Sequence, residues 1–375
     1  MKPTDRRAWS FAALCAVAAL GLGAYYAWIR ATRFAPGADT VAGALEQLPA
    51  APSTAGGRAT SDRSPRSAAP EDRGASASPT STPTAPAPPP RRILFRHNAV
   101  DAHYGKLAMI DYPGHGPRRF VGNASCEAVH FAAGRGICLT ADRGVFTTFA
   151  AEILDARFHT LFTLPLKGGP SRCRVSRNGK LAALTVFISG HSYASLDFST
   201  QTLLLDTTTG QVLADLEEFA VTRDGRPFSS KDFNLWGVTF APDSKSFYCT
   251  LSTNRQHFLV RGELAQRTAR VIHENVECPS LSPDGKRIAY KKRLPTPGRI
   301  EWQLHILDLA SGRETPLAEK RSADDQIEWL DDDNVLYALP QNEQSASTDV
   351  WRASVDGRRP PQVFLTAASS PAVIR

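Results

Sequence analysis

Nine histidines and six cysteines are the first places to look for chemistry in this 375-residue chain. No His-Glu-x-x-His stretch and no Cys-x-x-Cys pair occurs, so neither common zinc spacing is present. Asp331-Asp332-Asp333 offers hard oxygen ligands, but three successive acids on a turn are usually solvated, and a cation there would be weakly held. Gly190-His191-Ser192-Tyr193-Ala194 imitates the nucleophile elbow of serine hydrolases. That elbow needs a strand before it and a helix after it. The following SLDFSTQTLLLD reads as loop and strand, so the match fails. Glu127, His130, Arg172, Arg174, Glu277 and Glu328 could serve acid–base work but stand scattered along the chain. No catalytic residue, metal ligand or cofactor is therefore assigned.

The elements that carry these residues repeat. Five times the chain gives an apolar run, a tight polar turn and a second apolar run: CEAVHFAAGRGICLTA (126–141), RCRVSRNGKLAALTV (172–186), LWGVTFAPDSKSFYCTL (235–251), ECPSLSPDGKRIAYKK (277–292) and QIEWLDDDNVLYAL (326–339). Alternation around Asn-Gly, Pro-Asp-Gly and Pro-Asp-Ser marks β-hairpins. Turn centres Gly134, Asn178, Asp243, Asp284 and Asp332 lie 44, 65, 41 and 48 residues apart, the spacing of roughly 40–50-residue propeller blades. Behind the hairpins, stretches such as 201–219, 257–274, 303–319 and 349–366 supply an outer pair of strands.

Both ends leave strands over. SSPAVIR after Thr366 makes one inner strand, while RILFRHN, GKLAMIDY and PRRFVGN before Ser125 make three without an inner partner. Joined, they complete a sixth blade and close the ring, which removes exposed sheet edges. The expected fold is all-β, a six-bladed propeller over 93–375.

The SPDGKRIAY pattern with LDLASGRETPLAE behind it resembles the TolB-like WD40-type propeller repeat, and 93–375 looks like the propeller of a bacterial TolB-like translocation protein. The resemblance implies a non-catalytic, protein-binding propeller in the cell envelope. This chain departs from that family in having an apolar segment and a polar linker where TolB carries an α/β domain. The alternative is an exported propeller enzyme of lyase, lactonase or glycosidase type, working in the central channel.

Blade connectivity puts the long connections 97–105, 188–200, 220–234, 293–302 and 340–349 on one face, and rigidly held long loops are where binding residues concentrate. Two of these loops flank the second blade and carry His191, Tyr193, Asp197, Arg226, Lys231 and Trp236. Mixed charge with aromatics suits a protein or peptide partner.

The N-terminus sets the compartment. After a short tail, 1–8, residues 9–29 carry no charge, with Trp9 at one end and Tyr25, Tyr26 and Trp28 at the other, as a single membrane-spanning helix would. Secretion after signal-peptide cleavage is the alternative. Lys2, Arg6 and Arg7 before the span favour a cytoplasmic N-terminus and an exported remainder, on the cytoplasmic membrane. Residues 30–92 are rich in Pro, Ala, Ser and Thr, too poor in apolar side chains to order, and read as a tether. Eleven of the 44 Lys/Arg and six of the 37 Asp/Glu fall in 1–92, leaving 33 against 31; the near-neutral propeller gives no footprint for nucleic acid. It is expected to be monomeric. Its cysteines, Cys126, Cys138, Cys173, Cys249 and Cys278, are an odd five. Cys138 is expected to face about Phe131 rather than Cys126, so buried free thiols are expected although an exported compartment permits disulfides.

Overall fold

Hydrophobic alternation in the repeats produces six antiparallel sheets, and a computed structural model describes them over residues 91–113, 119–193, 198–342 and 345–375. The expected span 9–29 and the tether up to Pro90 lie outside the described residues. Among the described residues no helix is long and apolar enough to cross a membrane.

Blade 1 contains strands Ala128–Ala132, Arg135–Arg143, Thr147–Leu154 and Thr160–Leu166. Blades 2 to 5 begin with inner strands Gly169–Val175, Asn234–Phe240, Glu277–Leu281 and Glu328–Trp329. Blade 6 is assembled from both ends of the propeller. Its inner strand Ala368–Ile374 pairs with Arg91–His97, followed by Lys106–Tyr112 and Phe120–Ser125. The six-bladed closure expected from the leftover strands is the one found.

Each turn motif has a local cause. In Ser-Arg-Asn-Gly-Lys, Asn178 Oδ1 accepts from Lys180 N at 3.0 Å, and Ser176 Oγ accepts from Leu181 N at 2.9 Å. Ser-Pro-Asp-Gly-Lys repeats the device with Asp284 and Ser282. Gly179 and Gly285 both have φ near +73°, a conformation glycine adopts without steric cost. These side-chain bonds hold backbone donors that the hairpin leaves over, so the polar pattern is itself structural.

The apolar residues pack between blades. Each of the six junctions has its own buried cluster, for example Leu94, Met109, Val129, Phe131 and Ile374 between blades 6 and 1. Strand alternation divides the labour: Leu94 serves that junction, while its neighbours Ile93 and Phe95 serve the junction with blade 5. Complete burial of such side chains is worth roughly 1.5–3 kcal/mol each.

Two expectations need correction. The connection 220–234 is not a free loop: Ala220–Arg223 pairs parallel with the outer strand Thr268–Glu274 of blade 3, and Arg226–Pro227 adds a sixth strand to that sheet. Nor are all the thiols free. Cys126 and Cys138 form a disulfide with their Cα atoms 5.4 Å apart. The hairpin turns on Ala133 and Gly134, both at positive φ, which sets Phe131 opposite Gly136 and Val129 opposite Cys138. The chain before Ala128 then bends toward blade 6, where Cys126 N donates to Gly105 O, and Cys126 reaches the same side of the strand as Cys138. Cys173, Cys249 and Cys278 are buried free thiols, as expected.

Candidate functional site

Inner strands run from the long-loop face to the tight-turn face, so residues far apart in sequence meet at the axis. His130 of blade 1, Arg174 of blade 2 and Glu328 of blade 5 do so, and each is at least nine-tenths buried. Arg174 forms an ion pair with Glu328 and donates to Ser280 Oγ of blade 4 at 3.2 Å and to Ile327 O at 3.1 Å. His130 Nδ1 accepts from Val175 N at 3.1 Å, and its Nε2 lies 3.1 Å from Arg174 Nη1 and 3.6 Å from Glu328 Oε2. Arg375 Nη1 of blade 6 lies 3.6 Å from Glu328 Oε1. These inner-strand charges are scattered in sequence but clustered in space, contrary to expectation.

Electrostatics follows from that geometry. Burial, reinforced by the Arg174 charge, lowers His130 below its ordinary value and keeps it neutral. Burial opposes ionisation of Glu328 too, but Arg174, His130 and Arg375 outweigh it and hold the carboxyl at about 2. The cluster divides the channel. Toward the long loops lies a cavity of about 130 Å³, and toward the tight turns one of about 270 Å³; both are bounded by His130, Arg174 and Glu328.

A second tier of ions surrounds the long-loop cavity. Arg172 Nη1 donates to Asp325 Oδ1 at 3.1 Å, and its Nη2 lies 3.3 Å from Asp324 Oδ1. Lys291, fully buried, pairs with Asp324 and lies 4.4 Å over the Trp302 ring. Burial raises Asp325 against the pull of Arg172, whereas Lys291 and Arg172 lower Asp324 in spite of burial. Both Asp325 oxygens are nevertheless engaged, Oδ2 accepting from Ala338 N at 2.7 Å. Glu127 is held by Arg143 at 2.7 Å, while Glu277 turns away from the axis to Arg293 at 3.0 Å and the Trp302 indole at 2.9 Å. Each of the three carboxylates lining the two cavities among the described residues, Glu127, Asp325 and Glu328, thus has a cationic partner, as does Asp324 behind them. Among the described residues no group of three or more His, Cys, Asp or Glu could hold a metal ion.

The long-loop residues separate on folding. His191, Arg226 and Lys231 are exposed, and Asp197 lies outside the described residues. Trp236 and Tyr193 are core: they stack with ring centroids 5.1 Å apart beside Phe187 and Phe198, and Tyr193 shares a 2.7 Å hydrogen bond with Ser171. As inner-strand and inter-blade side chains they are not available to a partner. Arg226 stands at the far edge of the six-stranded sheet, five strand spacings or roughly 24 Å from the strand of Trp236. A single partner cannot take all three as one patch.

Other residues occupy the accessible surface of that face. Val145 and Phe146, in the connection between the second and third strands of blade 1, are both 82% exposed, and Val100 of blade 6 is 87% exposed. Tyr104 lies under Arg96, which pairs with Glu127, which in turn holds Arg143 next to the Val145–Phe146 loop. The apolar tips of blades 6 and 1 are therefore neighbours. Their signal in the sequence was a pair of large apolar residues directly after Gly144 in a turn. Asp324 and Asp325 also had a signal, as paired acids just ahead of an inner strand.

The fold defined by these sheets is a six-bladed, TolB-like β-propeller. TolB from Acinetobacter baumannii is similar over 76% of this chain and 67% of its own, with 17% identity and a TM-score of 0.52. The nidogen/laminin complex matches over 76% and 98% (10% identity, TM-score 0.48), and an oligogalacturonate lyase in complex with manganese over 66% and 71% (9%, 0.41). No family model matches the chain, and no curated protein does. At 17% identity, the likeness to TolB speaks for the fold alone.

Proposed function

We propose that this chain is a membrane-anchored, exported, non-catalytic propeller that binds a protein partner in the bacterial cell envelope through its long-loop face. The observation that carries this reading is the exposed apolar arc of Val100, Tyr104, Val145 and Phe146 on two adjacent blades. Large apolar side chains grouped at loop tips mark interaction surfaces. The channel, by contrast, has each of its lining carboxylates among the described residues paired with a cation, Glu127 with Arg143, Asp325 with Arg172 and Glu328 with Arg174. The disulfide supports an oxidising compartment outside the cytoplasm. Anchoring through 9–29 rests on the uncharged stretch described above.

The test is crosslinking capture from the native envelope with the full-length chain. Replacing Val145 and Phe146 together by serine should weaken capture more than about tenfold, the size of one or two interface hot spots. Lys180→Ser with Lys286→Ser, both exposed at the tight turns, is the control. Loss of capture in the control with retention in the loop variant would place the partner at the other end of the propeller.

A further inference from the structure

We propose that the tight-turn end of the channel is a binding site for a small organic anion, a carboxylate carried on a compact apolar body. This site is independent of the long-loop surface and lies at the opposite end of the axis.

Its charge is unbalanced. Arg174, Arg177 and Arg375 line the 270 Å³ cavity, and Glu328 is the one carboxylate side chain among the described residues lining it. Glu328 is already committed to Arg174. Arg177 rests instead on the main-chain oxygen of Pro283, Arg375 bonds the main-chain oxygen of Trp329 and shares Glu328 with Arg174 at 3.6 Å, and Arg91 beside them donates to Leu330 O at 2.6 Å, so three lining guanidinium groups have one carboxylate side chain between them. A carbonyl accepts a hydrogen bond without neutralising the charge, so positive potential remains. Burial, with Arg91, Arg174 and Arg177 adding to it, lowers Arg375 although Glu328 opposes the shift. Within the buried Arg174 side chain, Nε has no hydrogen-bond partner among the described residues. Guanidinium groups around a concavity recognise carboxylates through charge-assisted, often bidentate bonds.

The remaining wall chooses the rest of the ligand. Phe240, Pro242, Pro283 and Val373 give it apolar surface. The volume is at or just below the low end of the roughly 300–1,000 Å³ range of ligand sites, which suits a one-ring or short-chain acid rather than a nucleotide.

Benzoate is the probe, titrated calorimetrically into the full-length chain in a non-ionic detergent. Saturable binding with a Kd of about 1 mM or tighter is expected, and benzyl alcohol, isosteric but uncharged, should bind at least about tenfold more weakly. Arg177→Gln with Arg375→Gln should weaken benzoate by about tenfold or more, with the melting temperature as a check on folding. Arg177→Gln alone, at an exposed side chain, should cost roughly threefold. The proposal is overturned by equal affinity for benzyl alcohol, by unchanged benzoate affinity in these variants, or by no saturation up to about 10 mM. Inorganic phosphate binding more tightly than benzoate would overturn the apolar half of the assignment.

Discussion

Between blades, the propeller is held by apolar side chains from two neighbouring sheets; at the axis, it is held by ions from four blades. Leu94, Val129 and Ile374 at the junction of blades 6 and 1 need only be apolar and fit. His130, Arg174 and Glu328 need one another, because each would be a buried polar group without its partners, and Arg375 reaches Glu328 from the exposed end of the strand. The junctions supply non-directional stabilisation summed over a large area. The axis supplies geometry at a desolvation cost, and breaking a buried pair is worse than never having formed it. The two regions should therefore fail differently.

The junctions should give the largest effect. Deleting Ser369–Arg375 removes the inner strand of blade 6 and strips two junctions at once, since Ala372 and Ile374 pack toward blade 1 and Val373 toward blade 5. Val373 and Ile374 alone are worth roughly 3–6 kcal/mol, and the Arg91–His97 strand loses its ladder partner. Thermal unfolding should shift down by about 10 °C or more, or lose its single cooperative transition. An unchanged melting temperature would mean that the ring does not depend on this closure.

The same contrast explains what could be read from sequence. Junction residues were legible because alternation around Asn178-Gly179 or Asp284-Gly285 reports strand, turn and buried side together. Even the composite sixth blade followed, from strands left without a partner. Axis residues were not legible, because His130, Arg174 and Glu328 come from three inner strands and their convergence depends on ring closure. Tyr193 and Trp236 looked like surface aromatics for a related reason: their burial comes from packing across blades, as the Trp302 of blade 4 in the same cluster shows. Cys126–Cys138 was missed because strand register alone does not show the bend ahead of Ala128. In the 220–234 segment, the charged and glycine-rich VTRDGRP concealed a hairpin at a sheet edge.

Breaking the axis should cost less than opening the ring, and in a diagnostic way. Arg174→Met leaves Glu328 buried without its main partner and should destabilise by about 3–5 kcal/mol in urea unfolding. Adding Glu328→Gln removes the stranded charge, so the double variant should recover a substantial part of that loss, with a coupling of about 1–3 kcal/mol. A double variant whose loss equals the sum of the two single losses would show that these residues act independently.

Acid should act on the axis and leave the apolar junctions largely untouched, the smallest of the three effects. His130 faces Arg174, Glu328 and Arg375, and burial with Arg174 keeps its native value below 6.5. His257, buried between Trp236 and Glu277 with Lys291 and Arg293 nearby, is lowered by burial to about 4. In the unfolded chain both titrate near 6.5, so below that pH the unfolded state binds more protons and stability falls as pH falls. Each histidine can contribute at most about 1.4 kcal/mol per pH unit. Glu328 acts in the same direction over a lower window, from its ordinary 4.5 down to about 2. Urea midpoints should therefore decline from pH 6.5 toward 4, and more steeply below 4.5. His130→Gln keeps a polar side chain at the axis without the titration, and should flatten the upper part of that decline while His257 preserves the rest. An unaltered slope in His130→Gln would show that the histidine at the axis is not the group that senses acid.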